Sequence, residues 1–320
     1  MHIADEIAEI LTQAGACAMG CAPIHDVPSS QTDSLESWLA AGHNAGMAYM
    51  ANYPDLRRRP ALLLEGAESI ISLAFSYVPA SQRDPALPYI AEYAYGADYH
   101  ETLRHRLTAA IGQLRTIYGG DYRICIDSAP VFERYWAEEC GIGYRADNGL
   151  IAVSGIGTRI FLAEIISTLP IATISCQSAE SPQSRGEVPL ECLHCGACRR
   201  ACPAGALQPD GRVDARRCLS YLTIEHRGPW DNTGLQAMQT PAGRHTLYGC
   251  DICQRVCPLN RTAPPTEIEE FAPSHQLLSL TAEESKSMTQ ENFSRIFRGS
   301  PIKRAKLAGL LRNAANLLQS

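Results

Sequence analysis

"ECLHCGACRRACPAGAL", residues 191–207, places cysteines at 192, 195, 198 and 202, and the run ends in Cys202-Pro203. A shortened version, "YGCDICQRVCPLN", follows at 248–260 and again ends in Cys-Pro. Clustered thiols in a chain without a secretory signature read as metal ligands before disulfides. Structural zinc normally takes two separated cysteine pairs. A third cysteine two residues on, then a fourth after three more and a proline, favours iron–sulfur clusters over zinc.

The first run has the spacing of a bacterial ferredoxin, where three thiolates wrap one cube and the fourth reaches the neighbouring cluster. The second run, Cys250, Cys253 and Cys257, is one cysteine short, and Cys218 in "ARRCLSYLTIEHRG" stands between the two. Four, one and three make eight thiolates, enough for two [4Fe–4S] clusters. The crossover rule then assigns Cys192, Cys195, Cys198 and Cys257 to cluster one, and Cys202, Cys218, Cys250 and Cys253 to cluster two. Cys17, Cys21, Cys125, Cys140 and Cys176 lack ligand spacing and stay unassigned; at Cys17 and Cys21 small buried thiols are expected ahead of a metal site.

The chain has 320 residues, with 45% hydrophobic and 19% charged side chains, as in a globular protein with a substantial core. No apolar run reaches the ~20 residues of a membrane span, and the acidic, amphipathic "MHIADEIAEILTQAGA" is not a signal peptide. The expectation is a cytoplasmic monomer. A formal net charge of −6 argues against bulk attraction to nucleic acid. Lysine occurs only at Lys286, Lys303 and Lys306, so arginine carries most positive charge, in clusters such as Arg57–Arg59, Arg199–Arg200 and Arg216–Arg217. Arginine offers phosphates and carboxylates a bidentate fork that lysine cannot.

Apolar spacing predicts helices over 3–14, 35–41, 100–118 and 131–140, and a C-terminal helix carrying Leu307, Leu310, Leu311, Ala314 and Leu317 on one face. "PSSQTDS" reads as a loop, and Pro301 suits a first helical turn. "SIISLAFSYV" at 69–78 and "DYRICID" read as strands, and "GLIAVSGIGTRIFLAEII" as two strands about a glycine turn. The Ser/Pro-rich "CQSAESPQSRGEVP" at 176–189 marks a boundary. The expected class is α+β, with domains at 1–185, 186–262 and 263–320. Neither a Gly-x-Gly-x-x-Gly fingerprint nor a Walker A loop is present.

Beyond the cysteines the chain carries "AGMAYM" (45–50), "GADYHETLRHRL" (96–107), "DSAPVFERYWAEECGIG" (127–143), "CLSYLTIEHRG" (218–228) and "GSPIKRAKLAGLLRNAA" (299–315). In these segments, and over nearly its whole length, the chain resembles the epoxyqueuosine reductases. The resemblance implies an oxidoreductase that reduces epoxyqueuosine to queuosine at the wobble position of tRNA. It implies a nitroreductase-like N-terminal domain holding base-off cobalamin, a two-cluster ferredoxin-like domain feeding it, and a short helical C-terminal segment. Family members often extend further into helical repeats, so the RNA surface here is expected to be smaller.

The family's proton donor falls on Asp127, for which burial beside corrin and substrate is expected to raise the pKa. Further cobalamin contacts carried over are Arg57, Tyr99, His100, Asn148, Ser220, Thr223 and Asp251, with Asp127 itself. Two departures stand out: Arg59 replaces an aspartate, and Ala146-Asp147-Asn148 replaces Gly-Lys-Asn. For the tRNA anticodon stem-loop the candidates are Arg199, Arg200, Arg216, Arg217, Lys303, Arg304 and Lys306. The electron donor is unidentified. The competing readings are a cobalamin reductase of a small, dehalogenase-type substrate and an electron carrier without catalysis.

Overall fold

The strand Ser69–Ser76 is buried along all eight residues, which explains why its sequence runs apolar instead of alternating. It sits inside a four-stranded antiparallel sheet in the order Ala18–Pro23, Ser69–Ser76, Ile160–Ser167, Tyr122–Cys125. The computed structural model describes residues 2–176 and 191–317. The boundary expected at 176–189 lies, but for its first residue, outside the described residues.

Alternate side chains of the central strand serve opposite faces. Ile71, Leu73 and Phe75 meet Ile7 and Leu11 of helix Asp5–Gln13, and Leu103, Leu107, Ile111 and Leu114 of helix Tyr99–Tyr118. Ile70 and Ala74 meet Trp136, Ala137 and Cys140 around helix Glu133–Glu139. The second face also takes Ser72 and, opposite it, the fully buried Glu164, joined by a 3.2 Å hydrogen bond. Burial holds the Glu164 carboxyl well above the usual range, so it packs as a neutral acid.

Several local expectations need correction. "AMGCAP" forms an edge strand that its composition did not announce. Most of "PSSQTDS" belongs to helix Ser29–Ala40, whose start after Pro28 leaves no loop there. The two strands expected about the 155–157 turn join different sheets: Ile151–Ala152 pairs with Tyr144–Arg145, and Ile160–Ser167 enters the main sheet. Pro301 opens a 3-10 helix, Pro301–Ala305, and the α-helix proper is Lys306–Ala315.

The chain segments interlock. Tyr89–Ile90 pairs in parallel with Thr246–Tyr248, and Ile90, Ala94 and Tyr95 share a core with Leu247, Tyr248, Phe297, Ile302 and Leu310. Fully buried Asn313 donates to the carbonyls of Thr223 and Leu247, and Arg312 to those of Leu222, His226 and Gly228. A helix leaves its last carbonyls unpaired. These two side chains satisfy that end of helix Leu219–Ile224, the helix that begins after Cys218.

The C-terminal segment also grips residues 96–98. Ala97 N–H donates to the Glu270 carbonyl at 2.7 Å and Asp98 N–H to that of Gly299 at 2.6 Å. Gly96 lies flush on this contact, and a Cβ there would collide with the backbone of Glu270 and Phe271. Backbone cannot yield as a flexible side chain can. Gly96→Ala is therefore expected to cost roughly 1–3 kcal/mol, read as a lower denaturation midpoint with unchanged slope.

Candidate functional site

Cys192, Cys195, Cys198 and Cys257 line one cavity, together with Asp147, Asn148, Gly196 and Pro258. The chain turns tightly enough to do this because His194 and Gly196 adopt left-handed backbone, φ 46° and 65°. Asn148, part of this lining, is 4% exposed, and its Nδ2 has no hydrogen-bond partner among the described residues. An orphaned buried donor beside four thiols suits a cluster whose sulfides accept hydrogen bonds. Asp147 lies at the same cavity, where its Oδ1 meets His194 Nδ1 at 2.8 Å.

The other set gathers differently. Burial first, then the proximity of Cys202 and Cys218, raises the thiol pKa of Cys250 to about 12. The Cys253 thiol is pushed up by burial and then by Cys250, Cys218 and Cys202. Half-buried thiols crowded in this way, with Cys218, Cys250 and Cys253 all pushed upward, are costly as anions unless a metal centre supplies positive charge. Backbone N–H groups already point at them: Ala206 N–H donates to Cys202 Sγ at 3.2 Å, and Cys218 receives Ser220 and Tyr221. Pro258 follows Cys257 at the first position of a 3-10 helix, where a missing N–H is harmless.

Asp127 ends the turn after strand Tyr122–Cys125 and is left-handed at φ 48°, a strained state for a residue with a Cβ. Glu133 holds it there, accepting the Asp127 backbone N–H. The Asp127 side chain is 60% exposed. Its Oδ2 lies 3.1 Å from His100 Nε2, while His100 Nδ1 lies 2.8 Å from Asp98 Oδ1. Asp98 is also the N-cap of helix Tyr99–Tyr118, accepting His100 N–H at 3.0 Å. The Tyr99 hydroxyl bonds Asp127, and the Tyr99 ring stacks on Phe161 at 4.1 Å and on His100 at 4.0 Å.

An imidazole between two carboxylates donates from both nitrogens only as imidazolium. Burial lowers the His100 pKa, but the hydrogen bonds and charges of Asp127 and Asp98 outweigh it, giving about 9. Burial would raise the Asp127 pKa, and the His100 hydrogen bond and charge overcome that and hold it below the usual range. In the protein alone the proton rests on His100; the raised value is expected where corrin and substrate cover Asp127. Burial and the Asp127 charge push the Glu133 carboxyl upward.

Tyr49 and Arg304 border the same face. Each adds a charge effect involving Asp127, and Arg304 lies 5.7 Å over the Tyr49 ring while bonding Glu225 at 2.6 and 2.9 Å. Of the other carried-over residues, Arg57 sits near Glu133 and Ser220 is half-exposed beside Cys218. Thr223 and Asp251 spend their side chains inside the protein. The Thr223 hydroxyl donates to the Leu219 carbonyl and accepts Gly249 N–H; Asp251 Oδ2 accepts the Tyr89 hydroxyl and the Glu92 backbone N–H, both at 2.7 Å. Asn148 belongs to the cluster-one cavity. Sequence reasoning missed Asp98, Glu133 and Tyr49; the Asp-x-His spacing in "GADYHE" was the available signal for Asp98.

Residues 191–260 match a family model described as a 4Fe-4S double cluster binding domain, and residues 57–128 match one described as Epoxyqueuosine reductase QueG, DUF1730. The two thiol sets and these two family models define an iron–sulfur oxidoreductase. The epoxyqueuosine reductase of Cyclobacterium marinum is 37% identical over 289 residues, 88% of this chain and 86% of that protein. The chain belongs to the epoxyqueuosine reductase family. A crystal structure of an epoxyqueuosine reductase with an epoxyqueuosine-modified tRNA-Tyr stem loop superposes with TM-score 0.82 at 26% identity, covering 98% of this chain and 80% of that one. The Bacillus subtilis enzyme, with its catalytic aspartate loop swung out of the active site, gives TM-score 0.81 at 26% identity and the same coverage. No helix among the described residues is long and apolar enough to cross a membrane.

Proposed function

We propose that this chain reduces epoxyqueuosine to queuosine in the tRNA anticodon loop, with Asp127 delivering a proton to the departing oxygen. The observation that carries this reading is the Asp98–His100–Asp127 relay, open to solvent on a face bordered by Tyr49 and Arg304. The stem-loop bound by one relative and the catalytic aspartate loop of another support the substrate and the role of Asp127.

Arg57 near Glu133, Tyr99 beside Asp127 and half-exposed Ser220 beside Cys218 are the residues that would hold cobalamin. Cobalamin held there would supply nucleophile or electron chemistry for opening the epoxide, with the two thiol sets holding the [4Fe–4S] clusters that would reduce it. In balance, both epoxide C–O bonds break, a C=C bond forms, and oxygen leaves as water after taking up two electrons and two protons. Asp127 must hand over a proton as charge develops on that oxygen. His100 holds it at Nε2, and Asp98 and Tyr99 fix the ring and the carboxylate in place. Covering the face with substrate lowers the local dielectric and favours the neutral pair, with the proton moved to Asp127 Oδ2. Exposed Lys303, Arg304 and Lys306 flank this face and suit the phosphate backbone, so binding should weaken as salt rises.

Anaerobic incubation of reconstituted protein with cobalamin, dithionite and epoxyqueuosine-containing tRNA tests the reading. Queuosine is the expected product, and its absence with both clusters loaded overturns the proposal. The relay also sets a pH dependence. Turnover should fall on the alkaline side as His100 deprotonates near its value of about 9. In Asp98→Asn, with one carboxylate partner gone, that limb should move down toward ~6.5, the ordinary histidine value. An unmoved limb would detach His100 from proton supply.

A further inference from the structure

Cys195 is the one exposed thiol of the eight, and the surface around it is unusual for a chain of net charge −6. Leu193 is 52% exposed and Val256 38%. The helices Ala197–Ala201 and Ile252–Arg255 pack against each other here and carry exposed Arg199, Arg200 and Arg255. Arg200 donates to the Cys195 carbonyl at 3.0 Å, which fixes its charge at the cavity edge. None of these three arginines forms an ion pair among the described residues. The nearby carboxylate of Asp147 is taken up by His194.

We propose that this surface docks a small acidic one-electron carrier protein, which delivers electrons to cluster one. The inference rests on the cluster assignment above and adds the partner and the direction of flow. Each encounter oxidises the carrier by one electron and reduces cluster one by one, so two encounters supply the pair that the epoxide consumes. Flow inward follows from placement. The second thiol set includes Cys218, whose helix carries Tyr221; the Tyr221 hydroxyl receives Gly46 N–H at 2.8 Å, on the segment that presents Tyr49 to the Asp127 face. Exposed aliphatic side chains near three exposed arginines, with Glu191 the exposed carboxylate at the edge, suit a transient protein interface where electrostatics sets the encounter rate. Recognition of unstacked anticodon-loop bases calls for stacking aromatics, and exposed Tyr49 and Tyr53 belong to the segment beside Asp127. This reassigns Arg199 and Arg200 from the tRNA candidates.

The probe is an acidic [2Fe–2S] ferredoxin. Binding of its oxidised form is measured by calorimetry, and reduction of the clusters by its reduced form in stopped flow, with dithionite as a reductant that needs no docking. Arg199→Glu and Arg255→Glu should each weaken binding and slow ferredoxin-driven reduction by about tenfold at low salt, with dithionite-driven reduction unchanged. In the unsubstituted protein the ferredoxin rate should drop steeply with added salt. A salt-independent rate, unchanged ferredoxin kinetics in both variants, or loss of tRNA binding in Arg199→Glu would each overturn the proposal. Absence of iron from the reconstituted protein would instead strike the cluster assignment.

Discussion

Asp127→Asn is expected to leave iron content and tRNA binding intact and to lower turnover by about 10²- to 10⁴-fold, the usual worth of a positioned acid. Asparagine keeps the size of the side chain and can still meet Tyr99, and the backbone N–H still reaches Glu133. What it loses is the capacity to carry the proton held at His100 Nε2. Single-turnover conversion of epoxyqueuosine, followed by mass analysis of the tRNA nucleosides, reads the effect. Undiminished conversion would remove Asp127 from the proton path.

The same substitution has a stability signature whose sign is fixed by the two shifts. His100 is raised to about 9, so its contribution is complete below its unfolded value near ~6.5 and is lost as pH rises through about 9. Asp127 is lowered, so its contribution is present above ~3.9 and is lost as pH falls through the folded value. The stability gap between the unsubstituted protein and Asp127→Asn should therefore be widest between about pH 4 and 6.5 and close toward alkaline pH. Since Asp127 is well exposed, screening keeps the gap small.

Cys218→Ser is expected to drop iron from about eight to about four atoms per chain and to abolish reduction of the substrate. The choice of serine separates ligation from folding. Cys218 is the N-cap of helix Leu219–Ile224, and serine is a favoured N-cap. The helix should persist while Cys202, Cys250 and Cys253 are left one ligand short. Cys140→Ser, at a thiol packed among Ala22, Trp136 and Ile142, should keep all the iron. Equal iron in the two variants would show that Cys218 is no ligand.

Helices and strands with strong local patterning were readable: Tyr99–Tyr118 from its leucine spacing, and Ser69–Ser76 from its apolar, β-prone run. The edge strand Ala18–Pro23 was not, because alanine, glycine and proline carry little strand preference and its place comes from pairing with Ser69–Ala74. The polar start of helix Ser29–Ala40 was hidden for a similar reason: none of its residues is buried, so it shows no apolar stripe.

The cysteine runs determined by themselves that this chain is built to hold iron–sulfur clusters, because ligand spacing is a property of a few consecutive residues. "ECLHCGACRRACPAGAL" carries it in seventeen letters. Where the proton sits was decided only in three dimensions. Asp127 alone reads as an acid to be raised by burial; beside His100, itself locked by Asp98, it becomes the anionic half of a pair. Asp98 in turn is held by Gly299, some two hundred residues away along the chain. Charge–charge coupling depends on distance in space, and no local pattern encodes which distant segments will meet.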